Sequence, residues 1–252
     1  MLLKPFQKLL CVLCLVPVLM SAGNATAPLP KKLRLLLVTG GCCHNYSFQS
    51  EAIKNCLPAD VPAEWTVVNE GGTGTQGTIS LYDNPDWAKG YDLVIHNECF
   101  ADTQDSNYIR KITRAHYNGA NAMVIHCAMH SYRAATFNDW REFLGVTSRR
   151  HDHQSNYPIT MVRKEHPVLK NLPPQWTTPK DELYIIEKVW PATTILATSV
   201  SEKDGNTYPV AWTSQYGKGH VFGTTFGHSD ETFKDSVFLT MLSNAIQWTA
   251  RQ

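Results

Sequence analysis

Asn121-Ala-Met-Val-Ile-His-Cys-Ala-Met-His-Ser-Tyr-Arg133 is the stretch on which the fold turns. Ala122 to Ile125 is a short apolar run that breaks at once into two histidines, a cysteine and an arginine, before a helical pattern resumes near Thr136. A buried strand delivering its carboxyl end to a site has this form, because ligands of open α/β sheets sit in the crevice beyond those ends. A strand-to-helix elbow needs small neighbours where backbones approach closely. With His126 at the apex the residue two further on is Ala128; with Cys127 there it would be bulky Met129, so sterics favour His126. Cys127 reads equally as a small buried apolar residue. His126 and His130, four apart, would share a helical face, by itself a weak metal signal.

Upstream, Leu33 to Val38 reads as a parallel strand covered on both faces, ending in Thr39-Gly40-Gly41-Cys42-Cys43-His44, with Ser47 as N-cap of a helix through Leu57. Gly40-Gly41 lacks the spacing of a dinucleotide fingerprint, so no nucleotide cofactor is expected. Trp65 to Val68 is a second strand, and Gly71 to Gly77 reads as a surface loop. Tyr91 to His96 is a third strand, running into Asn97-Glu98-Cys99-Phe100, and a helix from Asp105 to Asn118 is ended by Gly119. Downstream, a helix over Phe137 to Phe143 precedes Arg149-Arg150-His151-Asp152-His153, which reads as a solvated loop; as a strand, it would put His151 and His153 on one face, where the pair could bind a metal. Strand-like runs at 157–163, 183–190, 194–200, 208–214 and 220–225 suggest a partly antiparallel extension of the same sheet, closed by an amphipathic helix over 236–250.

Length and composition fit this plan. The 252 residues carry 18% charged side chains and a formal net charge of +1, with no basic stripe, so a nucleic-acid partner is not expected. Residues 1–27 have Lys4 and Lys8, an apolar core from Leu9 to Met20 and a small-residue exit, which predicts a signal peptide cut between about 22 and 27. Residues 28–252 then form a single domain, secreted or periplasmic after bacterial export, with no membrane span. The exported chain keeps Cys42, Cys43, Cys56, Cys99 and Cys127. That odd number excludes complete internal pairing, and the adjacent Cys42 and Cys43 are not expected to bond each other.

Four strand ends supply His44, Glu98, His126 and His228, and this convergence is the functional signal. Asp230 would orient His228, or else cap the final helix. The motifs Leu36-Leu-Val-Thr-Gly-Gly41 through His44, the strand into His126, Glu165-His-Pro-Val168, Asp181-Glu-Leu-Tyr184, Pro209-Val-Ala-Trp212 and Gly217-Lys-Gly-His-Val-Phe222 to Gly227-His228 cover nearly the whole exported chain. They resemble the trehalose-utilisation (ThuA-like) family, a branch of the class I glutamine amidotransferase-like superfamily. The resemblance implies a three-layer, flavodoxin-like α/β sandwich with a mainly parallel central sheet and an antiparallel C-terminal extension.

It also implies a small-molecule sugar substrate, a glycoside or 3-keto-glycoside, processed by hydrolysis, elimination or isomerisation. A ketone at C3 acidifies the C2 proton, which a histidine or Glu98 would remove while Arg133 or a divalent metal steadies the enolate oxygen. His126, His228, Glu98 and Asp230 are the expected catalytic residues, with His44, Arg133, Tyr132 and Cys127 around the substrate. His44, His126 and His228 would suit zinc, manganese or nickel. In amidotransferases a cysteine holds the elbow and a His-Pro-Glu triplet supplies base and orienter; His228-Ser229-Asp230 resembles the triplet, but the elbow is His126. A thiol hydrolase using Cys127 and His228 remains the alternative, and so does a non-catalytic module binding sugar on Tyr132, Trp87 or Trp212.

Overall fold

The structure, a computed structural model, describes residues 1–2 and 31–252; the expected cleavage point and nearly all of the export segment lie outside the described residues. β1 (Leu33–Gly41) shows why the sheet is covered on both faces. Successive strand residues point to opposite sides. Leu33, Leu35 and Leu37 therefore enter one apolar cluster while Leu36 and Val38 enter the other. The first cluster takes in Ile53 of α1 (Tyr46–Asn55) and Phe238, Leu242 and Ile246 of α4 (Ser236–Thr249). The second takes in Ile109 and Ile112 of α2 (Ser106–Tyr117) and Trp140 and Phe143 of α3 (Asp139–Leu144). The result is helices, sheet, helices: the three-layer arrangement expected.

β2 (Ala63–Asn69), β1, β3 (Leu93–Cys99), β4 (Ala122–Ile125) and β11 (Gly219–Thr224) run parallel in that spatial order. β10 (Thr207–Tyr216), β9 (Thr194–Val200), β6 (Pro158–Met161) and β7 (Trp176–Thr177) continue the sheet antiparallel. The parallel members place the carboxyl ends of β1, β3, β4 and β11 along one edge.

Several local expectations are corrected. β8 (Asp181–Val189) does not extend the main sheet; it pairs antiparallel with β5 (Val146–Ser155) in a separate two-stranded ribbon, so the segment at 149–153 is strand and not loop. Asn45, not Ser47, caps α1, its side chain accepting the Phe48 N–H at 3.3 Å. Asp235, not Asp230, caps α4. No helix of the described residues is long and apolar enough to cross a membrane.

Candidate functional site

The strand tips are shaped by close backbone approach. His126 follows β4 with φ 45°, the left-handed turn expected of an elbow apex. Gly227, after β11, lies against it: a Cβ there would come within 2.9 Å of Ile125 Cγ2 and 3.2 Å of His126 Cβ. At the tip of β1 a Cβ on Gly41 would collide with the Cys99 carbonyl oxygen, so the turn carrying Cys42 to His44 sits directly against β3.

This packing brings His44, His126 and His228 face to edge, with ring centroids 5.0, 5.1 and 5.4 Å apart. Backbone carbonyls fix two tautomers. His126 donates Nδ1–H to the Thr225 carbonyl at 2.6 Å and His44 donates Nδ1–H to the His228 carbonyl at 3.1 Å. Each ring therefore keeps its lone pair on Nε2, and the His44 Nε2 is buried without a hydrogen-bond partner. Burial holds His44 down to about 4 and His126 well below the ordinary histidine value, so both are neutral near pH 7.

The β5–β8 ribbon supplies the carboxylate. Glu182 Oε2 lies 3.4 Å from His228 Nδ1, 3.7 Å from His126 Nε2 and 3.6 Å from His151 Nδ1. The Gln154 amide nitrogen is 2.7 Å from His228 Nε2 and donates to Glu182 Oε1 at 3.3 Å. Tyr184, two residues along β8, donates its hydroxyl to His126 Nε2 in a long bond of 3.3 Å and stacks on His130 at 3.8 Å. Register shifts between His151 and Gln154 break the simple alternation of β5. Gln154 thus turns inward, whereas His153 bonds the exposed Glu202 at 2.9 Å. Asp181, preceding Glu182, accepts from the N–H groups of Gly227 (3.0 Å) and His228 (3.2 Å) and from the Thr232 hydroxyl (2.6 Å). Burial lifts its carboxyl to about 6 against those hydrogen bonds, which pull it down.

The other expected residues divide. Arg133 and Cys127 line the pocket with His44 and His228. Glu98 does not, because it shares strand parity with Val94 and His96 and so points into the α2–α3 layer. There it meets His96 Nδ1 at 2.9 Å, and His96 in turn contacts His116 at 3.0 Å. Tyr132 is buried against Trp140 and Trp212 is a core residue, so neither offers a sugar-binding wall, while Trp87 lines a separate cavity beside Tyr82 and Lys111, away from the histidines. Asp230 is tied to Asn45 at 2.9 Å, away from the His228 ring. Cys127 is bonded to Cys99, which leaves no thiolate there for a thiol mechanism. Cys42 is bonded to Cys43, correcting the expectation that these neighbours stay apart; the backbone accommodates the pair with a left-handed φ of 84° at Cys43.

The donor set fits a borderline ion. One ligand atom from each of His44, His126 and His228 lies within 4.8 Å of the others, and a carboxylate oxygen stands beside two of them. Imidazole nitrogens at about 2.0–2.1 Å from zinc stand roughly 3.4 Å apart in a tetrahedral site. The backbone carbonyls behind His44 and His126 are the supports that metal-binding imidazoles use. An amide can present oxygen or nitrogen. Turning the Gln154 oxygen toward His228 Nε2–H would leave Nδ1 free to ligate, at the cost of the amide's donation to Glu182. Glu182, Gln154 and Tyr184 were not singled out from sequence as site residues, although Asp181-Glu182-Leu183-Tyr184 stood out as a motif, and strand alternation puts Glu182 and Tyr184 on one face; His151 stood out only as half of a metal-binding His-x-His pair conditional on a strand, and it alone of that pair lines the pocket.

Comparison with known proteins agrees with the fold. A ThuA-like protein of Parabacteroides merdae superposes with a TM-score of 0.65 at 22% identity, covering 87% of this chain and 90% of that one. A ThuA-like protein of Bacteroides uniformis gives 0.66 at 16% identity, with 89% and 94% covered. A protein described as a GMP synthase component from Thermoplasma acidophilum gives 0.53 at 9% identity, with 86% and 95% covered, consistent with an amidotransferase-like fold. No curated protein matches the sequence significantly. The trehalose-utilisation profile, ThuA, matches residues 35–249, nearly the whole described domain, and the chain belongs to the ThuA family.

Proposed function

We propose that this is an exported sugar-processing enzyme that acts on a 3-keto-glycoside by proton transfer at the carbon beside its carbonyl, assisted by a divalent ion. The observation that carries the reading is the meeting of His44 and His228 with the Glu182 carboxylate at the wall of one small cavity, with the buried His126 against all three. Its volume is about 240 Å3. That lies below the roughly 300–1,000 Å3 of drug-sized pockets and suits a single ring.

His44, His126, His228 and Glu182 would hold the ion, zinc, manganese or nickel, whose part is to withdraw charge from a carbonyl or enolate oxygen. The chain's own groups do the rest. His151 stands half-exposed at the cavity wall, 3.6 Å from Glu182, and is the imidazole placed to take or return a proton. Arg133, exposed at the mouth, offers a guanidinium to a developing oxyanion. Tyr184 supplies a neutral hydroxyl, since burial pushes its ionisation well up. Export rests on the charged, apolar and small-residue pattern of residues 1–27.

The test is hydrogen exchange at C2. In deuterium oxide, metal-loaded protein should wash deuterium into C2 of a 3-keto-glycoside, read by proton NMR, and leave the unoxidised glycoside untouched. His151→Ala should slow exchange by about 100-fold, the scale of lost general acid–base help. Loaded protein that neither exchanges C2 nor changes the 3-keto-glycoside would sink the reading.

A further inference from the structure

The pocket floor is made of sulfur. Cys42, Cys43, Cys99 and Cys127 all line it, and Cys42 Sγ lies 3.8 Å from Cys99 Sγ across the two disulfides. The donor atoms of Cys99, Cys127 and His44 lie within 4.8 Å of one another, as do those of the three histidines. His44 Nε2, buried and without a partner, belongs to both sets. A disulfide sulfur has no charge to offer an ion, whereas a thiolate is a strong soft ligand.

We propose that reduction of the Cys99–Cys127 disulfide unmasks a second metal site, formed by Cys99, Cys127 and His44, for a thiophilic ion such as zinc or copper(I). A dithiol reductant supplies the two electrons and two protons: its S–H groups close into its own disulfide as the Cys99–Cys127 bond opens to two thiols. Both thiols lose their protons to solvent as the ion binds. Because His44 has a single free lone pair, the sulfur set and the three-histidine set exclude each other at that ligand. The state of one disulfide therefore selects between a site of nitrogen and oxygen donors and a site dominated by sulfur. In an oxidising compartment the sulfur set stays masked.

The experiment titrates the full chain with cobalt(II), a spectroscopic stand-in for zinc, before and after dithiol reduction and removal of the reductant under anaerobic conditions. The reduced chain should develop thiolate-to-cobalt charge-transfer absorption that the oxidised chain lacks. Cys127→Ser should lose most of it, and Glu182→Gln should retain it, which separates this site from the histidine–carboxylate one. As a readout that needs no variant, bound zinc should shield Cys99 and Cys127 of the reduced chain from iodoacetamide, scored by mass spectrometry, more than Cys56. No charge-transfer absorption in the reduced chain, or zinc that leaves Cys99 and Cys127 as reactive as before, would overturn the proposal.

Discussion

The histidines of the pocket stand at the tips of parallel strands buried on both faces, while its carboxylate stands on β5–β8, a ribbon apart from the main sheet. The two regions are held in place differently. His126 is wedged by Gly227, and its imidazole is pinned to a backbone carbonyl at 2.6 Å. Glu182 reaches the same point from a ribbon whose bond to the His228 turn runs through Asp181. The difference teaches that the sheet edge presents lone pairs in fixed directions and the ribbon brings the charge to meet them.

The comparison can be broken most severely at the sheet edge. His126→Ala removes a ligand that nothing nearby replaces, and the metal content of the purified protein should fall to background; full occupancy in this variant would detach the elbow from the site. Next in size is the tether. Asp181→Ala strands the backbone N–H groups of Glu182, Gly227 and His228 and the Thr232 hydroxyl, which should cost about 3 kcal/mol. Urea denaturation would measure it, and a loss below about 1 kcal/mol would mean that the ribbon is held by something else. A smaller effect belongs to Gln154: removing the group that supports the His228 ring, as in Gln154→Leu, should weaken metal affinity by about 10-fold in competition with a chelator.

A pH effect concerns the layer beneath the tips. Burial lowers His130 to about 3 and His116 well below 6.5, whereas in the unfolded chain both titrate near 6.5. The unfolded state therefore binds more protons below that pH, and stability should decline as pH falls from about 6.5 toward 3. Asp181, raised from 3.8 to about 6, works in the opposite direction between those two values, but it is one group against these two and the likewise lowered His44 and His126. A urea midpoint that rises on going from about pH 7.5 to about pH 5, roughly the span over which a histidine titrates, would contradict this.

How much could be read in advance follows the same division. Uninterrupted apolar runs announce buried parallel strands, so β1, β3 and β4 were visible in the sequence, as were the histidines beyond β1 and β4 and the choice of His126 over Cys127 at the apex; β11 and the His228 after it were visible as a strand and its end, but the strand reads as part of the antiparallel extension, whereas it pairs parallel with β4. Glu98 was misleading because its place at the end of β3 is evident while its direction depends on parity: it shares the Val94 and His96 face and is spent on His96. The ribbon was harder still. Its residues Arg149 to His153 are polar enough to pass for a loop, and the register shift that turns Gln154 inward is a backbone event that no side-chain pattern announces. Pairing of Cys42 with Cys43 was hidden for a similar reason, since it depends on a left-handed turn at Cys43.

The most direct measurement sets two carboxylates against each other. Elemental analysis of the protein, purified without chelator or histidine tag, should be run on the parent, Glu182→Gln and Glu98→Gln. The account predicts one bound divalent ion in the parent and in Glu98→Gln, and substantial loss in Glu182→Gln. Equal metal in the parent and Glu182→Gln, or no metal in any of them after reconstitution, would contradict it.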